Sequence, residues 1–186
     1  MSRAFHRTII SFCLVAVFGL VLLPIVSGID KAHAQSSTQR GASGFPLPRF
    51  VSLKARSVNL RIGPGTSYAV SWRYLKSGLP VEIIQEYENW RRIRDADGTE
   101  GWVNQSLLSG ERTAVAAPWM RGNGDVYVNM RRDTLDSATI VAKLQPGVVV
   151  KINECTGNWC RADAGNVQGW LSQAEIWGAY PGEAFK

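Results

Sequence analysis

The chain has 186 residues, with 21 lysines and arginines against 15 aspartates and glutamates, and its formal net charge is +6. This length suffices for one ordinary domain or two small ones. The positive charge is mild and spread along the chain, which excludes the basic stripe typical of a nucleic-acid-binding protein.

Residues 1–34 have the layout of a secretory signal peptide. Arg3 and Arg7 precede an apolar run from Thr8 to Val26, and the small-residue end Ala32-His33-Ala34 follows. We expect cleavage after Ala34. The alternative is a retained membrane anchor, because the apolar run is close to the ~20 residues that span a bilayer. The pattern predicts an exported protein, periplasmic or secreted.

Cleavage at this point would leave 152 residues with 18 basic and 14 acidic side chains, a net charge of +4. It would also remove Cys13 and both histidines, His6 and His33. A chain without histidine lacks the base of serine triads and cysteine–histidine peptidases, and it lacks the commonest zinc ligand. We therefore expect no catalysis by those routes, no metal and no other cofactor.

Residues 35–49 are predicted to be a flexible linker, because they are rich in serine and glycine and end in an extended proline-containing segment. Two copies of one unit follow, predicted at residues 50–112 and 118–178, with a tail at residues 179–186. Four landmarks recur at offsets of 68 to 70 residues: Asn59-Leu60-Arg61 as Asn129-Met130-Arg131, Leu75-x-x-Gly78 as Leu144-x-x-Gly147, Trp90 as Trp159, and Gly101-Trp102-Val103 as Gly169-Trp170-Leu171.

Each copy is built from short β-strand patterns. Runs such as Val81-Glu82-Ile83-Ile84 are rich in β-branched residues, and turns such as Asp95-Ala96-Asp97-Gly98 separate them. No stretch shows a long helical period. About five strands in some 60 residues, joined by short connections, predict an all-β fold of two small barrels.

The loop Gly63-Pro64-Gly65-Thr66-Ser67 could cradle a phosphate or form a turn between strands. A phosphate-binding loop needs a lysine after its last glycine, which this loop lacks, and Pro64 removes one amide donor. In the second copy the glycines give way to Arg132-Asp133-Thr134, although Asn129-Met130-Arg131 persists before them. A strand followed by a solvent loop survives that exchange, so we interpret the loop as structural.

The first copy resembles the bacterial SH3-like domain of secreted and cell-wall proteins. The resemblance rests on Val58-Asn59-Leu60-Arg61 with its Gly-Pro-Gly loop, on Leu75-x-x-Gly78, on Trp90 and on Gly101-Trp102-Val103. The second copy is similar but departs at the loop. The resemblance implies two half-open barrels in tandem, without catalysis, in a protein that recognises cell-wall peptides or glycans or targets an enzyme.

Cys155 and Cys160 lie on either side of a four-residue turn. If their strands pair as a hairpin, the two β-carbons can face each other at bridging distance. We predict a disulfide, because an even pair of cysteines in an exported protein favours one. The alternative is two free thiols in a loop.

Aromatic and arginine side chains are the candidates for ligand binding. Trp72 and Tyr74 share one face of an extended segment, and Tyr68 joins them only if the chain stays extended. Trp102 and Trp170 should lie on the outer barrel face, lining a groove or covering an edge. Arg91, within a cluster with Arg92 and Arg94, would bind peptide carboxylates or be neutralised by Glu86, Glu88 and Glu100.

Three functions fit these features. The leading one is a non-enzymatic exported module that binds cell-wall peptidoglycan, through its peptide stem or its glycan, or binds an envelope protein. The alternative is a periplasmic interaction or scaffold protein that uses its aromatic surfaces, including packing of one barrel on the other. A glycan hydrolase using the carboxylates of Glu86 and Glu88 is a distant third.

Overall fold

The computed structural model describes residues 39–186, so the predicted signal peptide lies outside the described residues. These residues form seventeen β-strands and three single-turn 3₁₀ helices, which confirms the all-β prediction. No helix in this part of the chain is long and apolar enough to cross a membrane.

A short hairpin precedes the first barrel and consists of β1 (Gln39–Arg40) and β2 (Pro46–Leu47). The first barrel is a sheet with the strand order β5-β4-β8-β7-β6-β3-β9. Its strands are β3 (Arg49–Leu53), β4 (Val58–Arg61), β5 (Val70–Tyr74), β6 (Pro80–Tyr87), β7 (Trp90–Arg94), β8 (Glu100–Asn104) and β9 (Leu108–Ser109), with a 3₁₀ turn at Gln105–Leu107.

The second barrel repeats this arrangement with the order β12-β11-β15-β14-β13-β10-β16, and one further strand, β17, pairs with β13. Its strands are β10 (Thr113–Ala116), β11 (Val128–Arg131), β12 (Ile140–Leu144), β13 (Val149–Thr156), β14 (Trp159–Ala164), β15 (Val167–Ser172), β16 (Ile176–Trp177) and β17 (Ala184–Phe185). Its 3₁₀ turns are Pro118–Met120 and Gln173–Glu175.

Each barrel has its own hydrophobic core, filled by alternate residues of its strands. In the first barrel Val58 and Leu60 of β4 and Val103 of β8 are fully buried and belong to one cluster. In the second barrel Met130 and Leu171 occupy the equivalent places in a separate cluster. The chain therefore folds as two barrels in tandem.

The recurring Gly-Trp pair has a packing reason. A β-carbon on Gly101 would overlap the side chain of Leu60, and one on Gly169 would overlap Met130. Strand β8 or β15 can therefore approach the core only with glycine at this position. The residue after it, Trp102 or Trp170, points to the outer face and is partly exposed, as predicted.

The second barrel begins earlier than the sequence repeat indicated. Strand β10, Thr113–Ala116, pairs with β13 as β3 pairs with β6, so Thr113, rather than the predicted first residue Pro118, is the counterpart of Phe50. The two barrels connect their first two strands by segments of different length, residues 54–57 in the first and residues 117–127 in the second. The constant spacing of the later landmarks therefore does not extend back to the first strand.

One repeat landmark is also corrected by the register. Val58 pairs with Tyr74 as Val128 pairs with Leu144, so Leu144 is the counterpart of Tyr74 and not of Leu75. Burial agrees, because Tyr74 and Leu144 are each 7% exposed whereas Leu75 is 73% exposed. The turn that follows is one residue longer in the first copy, from Tyr74 to Gly78, than in the second, from Leu144 to Gly147.

The predicted flexible linker is in large part an ordered hairpin. The backbone N–H and the hydroxyl of Ser43 donate to the Glu86 carboxylate at 2.8 and 2.7 Å, and Arg49 donates to it at 2.7 Å. This carboxylate is buried, so the two Ser43 donors tie the hairpin to β6, and Arg49 of β3 neutralises the carboxylate.

The residues predicted to be a tail belong to the second barrel. Phe185 and Ala184 of β17 pair with Cys155 and Thr156 of β13. Arg112 binds both oxygens of the Glu183 carboxylate at 2.9 Å, which holds the segment in place.

The predicted disulfide between Cys155 and Cys160 is present and joins directly paired residues of β13 and β14. The corresponding pair on β6 and β7 is Glu86 and Arg91, with an ion-pair distance of 3.4 Å. The same cross-strand position thus holds an ion pair in one barrel and a covalent bond in the other.

Candidate ligand-binding cleft

Trp72 and Tyr74, on one face of β5, line a cleft of about 380 Å³ where the first barrel meets β10 and the 117–127 loop. Trp72 is 57% exposed and forms an open aromatic wall, whereas Tyr74 is 7% exposed and closes the base. The remaining lining residues are Leu79, Pro80, Val81, Asp95, Ala96, Asp97, Thr99, Val115 and Arg121.

Asp95 organises the polar side of the cleft. Its Oδ1 accepts the backbone N–H groups of Asp97 and Thr99 at 3.0 and 2.8 Å, which closes the β7–β8 turn. Its Oδ2 accepts the Tyr74 hydroxyl at 2.8 Å. Burial and this bond to Asp95 raise the pKa of the Tyr74 phenol, so Tyr74 is a protonated donor at physiological pH.

Arg121 joins the two barrels at the rim. Its Nη1 lies 2.8 and 2.9 Å from the two oxygens of Asp97, and its side chain lies against Gly147, where a β-carbon would come within 3.1 Å of Nε. The Asp97 and Arg121 side chains are 62% and 42% exposed, so this ion pair is reached by solvent.

Tyr68 lies away from the cleft and packs on its own loop. Its ring covers Gly63 so closely that a β-carbon there would overlap it. Arg61 reaches across the loop and donates to the Tyr68 carbonyl at 2.6 Å, as Arg131 donates to the Ala138 carbonyl at 3.0 Å. These recurring arginines brace a loop, in agreement with its structural interpretation.

Arg91 is 6% exposed and is occupied by the barrel itself. It donates to the carbonyls of Glu88 and Trp90 and to the side chain of Gln105, and it lies beside Glu86. The guanidinium is thus largely engaged within its own barrel, and the predicted role in binding peptide carboxylates stays a prediction. Arg92 and Arg94 are paired with Glu100.

Trp102 and Trp170 occupy equivalent, partly exposed positions beside Arg61 and Arg131. Neither is among the residues of the cleft. A ligand role for these tryptophans and for Tyr68 stays a prediction.

Glu86 does not have the properties of a glycosidase acid. Burial raises its pKa, but hydrogen bonds from Ser43 and Arg49 outweigh burial and lower the pKa to about 2. A carboxyl group with this pKa stays ionised at neutral pH, whereas the general acid of a glycosidase must hold a proton.

Sequence reasoning found the aromatic wall of the cleft but not Asp97, Arg121 or Val115. Asp97 was interpreted as a turn residue, Val115 lay between the two predicted copies, and Arg121 lay within the second copy without being singled out. The available signal was the extra length of the 117–127 loop, which is the main difference between the two copies.

Comparison with known proteins agrees with the fold. The model of the bacterial SH3 domain matches residues 54–110 and 124–178, together more than half of the chain. The "Putative N-acetylmuramoyl-L-alanine amidase YrvJ" of Bacillus subtilis is 26% identical over 125 residues, 64% of this chain and 24% of that protein. The chain thus spans about a quarter of the length of this relative.

Two solved structures of Trichomonas vaginalis proteins are also similar. NlpC2 matches 70% of this chain and 48% of its own at 10% identity, with a TM-score of 0.30. NlpC1 matches 76% of this chain and 49% of its own at 12% identity, with a TM-score of 0.32.

The family model and the repeated barrel therefore lead to one conclusion: the chain belongs to the bacterial SH3 domain family and carries two copies of that domain in tandem.

Proposed function

We propose that this protein is a non-catalytic binding module of the bacterial cell envelope, exported by the signal peptide at residues 1–34, that recognises cell-wall peptidoglycan. The observation that carries the proposal is Trp72, a 57% exposed indole at the edge of a cleft with an apolar base. Exposed tryptophans beside such clefts are typical binding hot spots.

The relative from Bacillus subtilis supports peptidoglycan as the ligand, because it is named as a putative N-acetylmuramoyl-L-alanine amidase. Absence of catalysis is part of the proposal. Of the residues with catalytic potential, the Glu86 carboxylate accepts hydrogen bonds from Ser43 and Arg49. The Asp95 carboxylate accepts the backbone N–H groups that close a turn.

The proposal is tested by co-sedimentation of the chain from Gln35 onward with purified sacculi. We expect Trp72→Ala to weaken binding about tenfold or more, the loss typical of a hot-spot tryptophan. Trp119→Ala is the matched control, because Trp119 is 56% exposed but does not line the cleft.

Unchanged binding by Trp72→Ala would move the site elsewhere, and no binding by the unaltered chain would overturn the proposal. Release of soluble fragments from the sacculi by the unaltered chain would contradict its non-catalytic part.

A further inference from the structure

We propose that the cleft binds the side-chain ammonium of a diamino residue in a peptidoglycan stem peptide, an inference that rests on the proposed function and names the group recognised. The site consists of Trp72 and Asp97, with an apolar base beneath them.

The charge of the cleft favours a cation. Its lining contains Asp95, Asp97 and Arg121 and no other ionised side chain, which leaves one negative charge in excess. An anionic ligand group would therefore be repelled by the net charge, whereas an ammonium would be attracted.

The two carboxylates are not equally available. Asp95 is fully used, since one oxygen accepts two backbone N–H groups and the other accepts the Tyr74 hydroxyl. Within residues 39–186 the side chain of Asp97 is contacted through a single nitrogen of Arg121 and is 62% exposed. A carboxylate has about four acceptor positions, so Asp97 can accept an ammonium while Arg121 stays bound.

Trp72 completes the recognition of such a group. A cation over an exposed indole is attracted by the negative face of the ring. The apolar base, formed by Leu79, Val81 and Val115, suits the methylene chain that carries the ammonium. An aliphatic chain ending in a primary amine therefore matches both the apolar and the charged part of the cleft.

The test uses Nα-acetyl-L-lysine N-methylamide as the probe and its norleucine counterpart as the matched neutral ligand, titrated into the chain from Gln35 onward and followed by NMR shifts of the indole N–H groups. We expect the lysine probe to bind at least about tenfold more tightly than the norleucine probe, with the largest shift at Trp72. Asp97→Asn should abolish this preference.

Arg121→Gln separates recognition from a merely structural ion pair. If Asp97 binds the ammonium, this variant should bind the lysine probe a few times more tightly, because a competing cation is gone. Equal loss in Asp97→Asn and Arg121→Gln would overturn the inference, as would equal binding of the two probes by the unaltered chain.

Competition on sacculi distinguishes this inference from the proposed function. Trp72-dependent binding to sacculi that the lysine probe does not displace would overturn the inference and leave the proposed function intact. Probe binding that needs Asp97, without any binding to sacculi, would overturn both the proposed function and the stem peptide as the source of the amine.

Discussion

At the scale of single residues, the two barrels show which side chains depend on each other. Gly63 and Tyr68 in the first barrel correspond to Asp133 and Ala138 in the second. The backbone N–H of Tyr68 donates to the Gly65 carbonyl, and in the same way the backbone N–H of Ala138 donates to the Leu135 carbonyl. The Tyr68 ring occupies the place of a β-carbon on Gly63. Glycine is therefore needed where the tyrosine is present, and a larger residue is tolerated where alanine replaces it.

This dependence predicts a non-additive pair of substitutions. We expect Gly63→Ala to reduce the free energy of unfolding by about 1–3 kcal/mol, the usual cost of overpacking, because the methyl group displaces the Tyr68 ring. In a Tyr68→Ala background the same change should cost much less. Denaturant unfolding of the four proteins measures both values, and an equal cost in the two backgrounds would refute the explanation.

At the scale of elements, equivalent hairpins are joined by different chemistry. Glu86 and Arg91 pair across β6 and β7, and Cys155 and Cys160 pair across β13 and β14. In the first barrel Arg91 also donates to Oε1 of Gln105. At the counterpart Gln173 the amide nitrogen instead lies 3.5 Å from Sγ of Cys160 and donates to the Glu183 carbonyl at 2.7 Å, and Oε1 is buried without a hydrogen-bond partner in the described part of the chain.

Because only the second barrel has a disulfide at this position, we predict that reduction destabilises the second barrel and not the first. The disulfide closes a loop of six residues, from Cys155 to Cys160, so the chain-entropy relation gives about 2 kcal/mol for its contribution. We expect a phosphine reductant to lower the free energy of local opening by about this amount in β13 and β14, measured by amide exchange of locally opening amides, with little change in those of β6 and β7. The variant Cys155→Ser with Cys160→Ser should not respond to reductant, and equal acceleration in both barrels would contradict the prediction.

The second half of the long strand, β6 or β13, is contacted by a further segment in each barrel. The β1–β2 hairpin is bound to Glu86 on β6, and β17 pairs with β13 beside Cys155. In the second barrel, β17 supplies backbone partners to the part of β13 that lies beyond its pairing with β10, and such unpaired groups would otherwise be open to other chains.

At the scale of the whole molecule, aromatic residues join the two barrels. Phe50 of β3 lies edge-on to Trp177 with ring centroids 5.0 Å apart, and it contacts the Tyr180 ring at 4.7 Å. The Tyr180 hydroxyl donates to Glu82 of β6 at 2.8 Å. Burial and this bond raise the pKa of the Tyr180 phenol. The stability that the bond contributes is therefore complete below pH 10, the ordinary phenol pKa, and falls as the pH rises above it.

These contacts predict that Phe50 couples the unfolding of the barrels. We expect the unaltered chain to unfold in one thermal transition and Phe50→Ala to lose about 3 kcal/mol, because a buried aromatic ring is removed from the interface. Two separate transitions should then appear in calorimetry. Phe45→Ala is the control, since Phe45 is 61% exposed. A single transition of unchanged midpoint in Phe50→Ala would show that the barrels are joined by other contacts.

Much of this protein could be predicted from short-range patterns. The β-branched runs, the glycine turns and the recurrence of Asn-x-Arg and Gly-Trp motifs predicted two all-β barrels, and the spacing of Cys155 and Cys160 predicted their bond. Those features were accessible because each depends on residues that are neighbours along a strand or across a hairpin.

The cleft could be predicted from such patterns only in part. Trp72 and Tyr74 were selected because they share a face of one strand, but Asp97, Val115 and Arg121 join them only when the second barrel packs against the first. The sequence by itself determined the two barrels, since strand patterning is local. Only the tertiary structure decided the cleft and the burial of Arg91, because both depend on contacts between segments that are far apart in the chain.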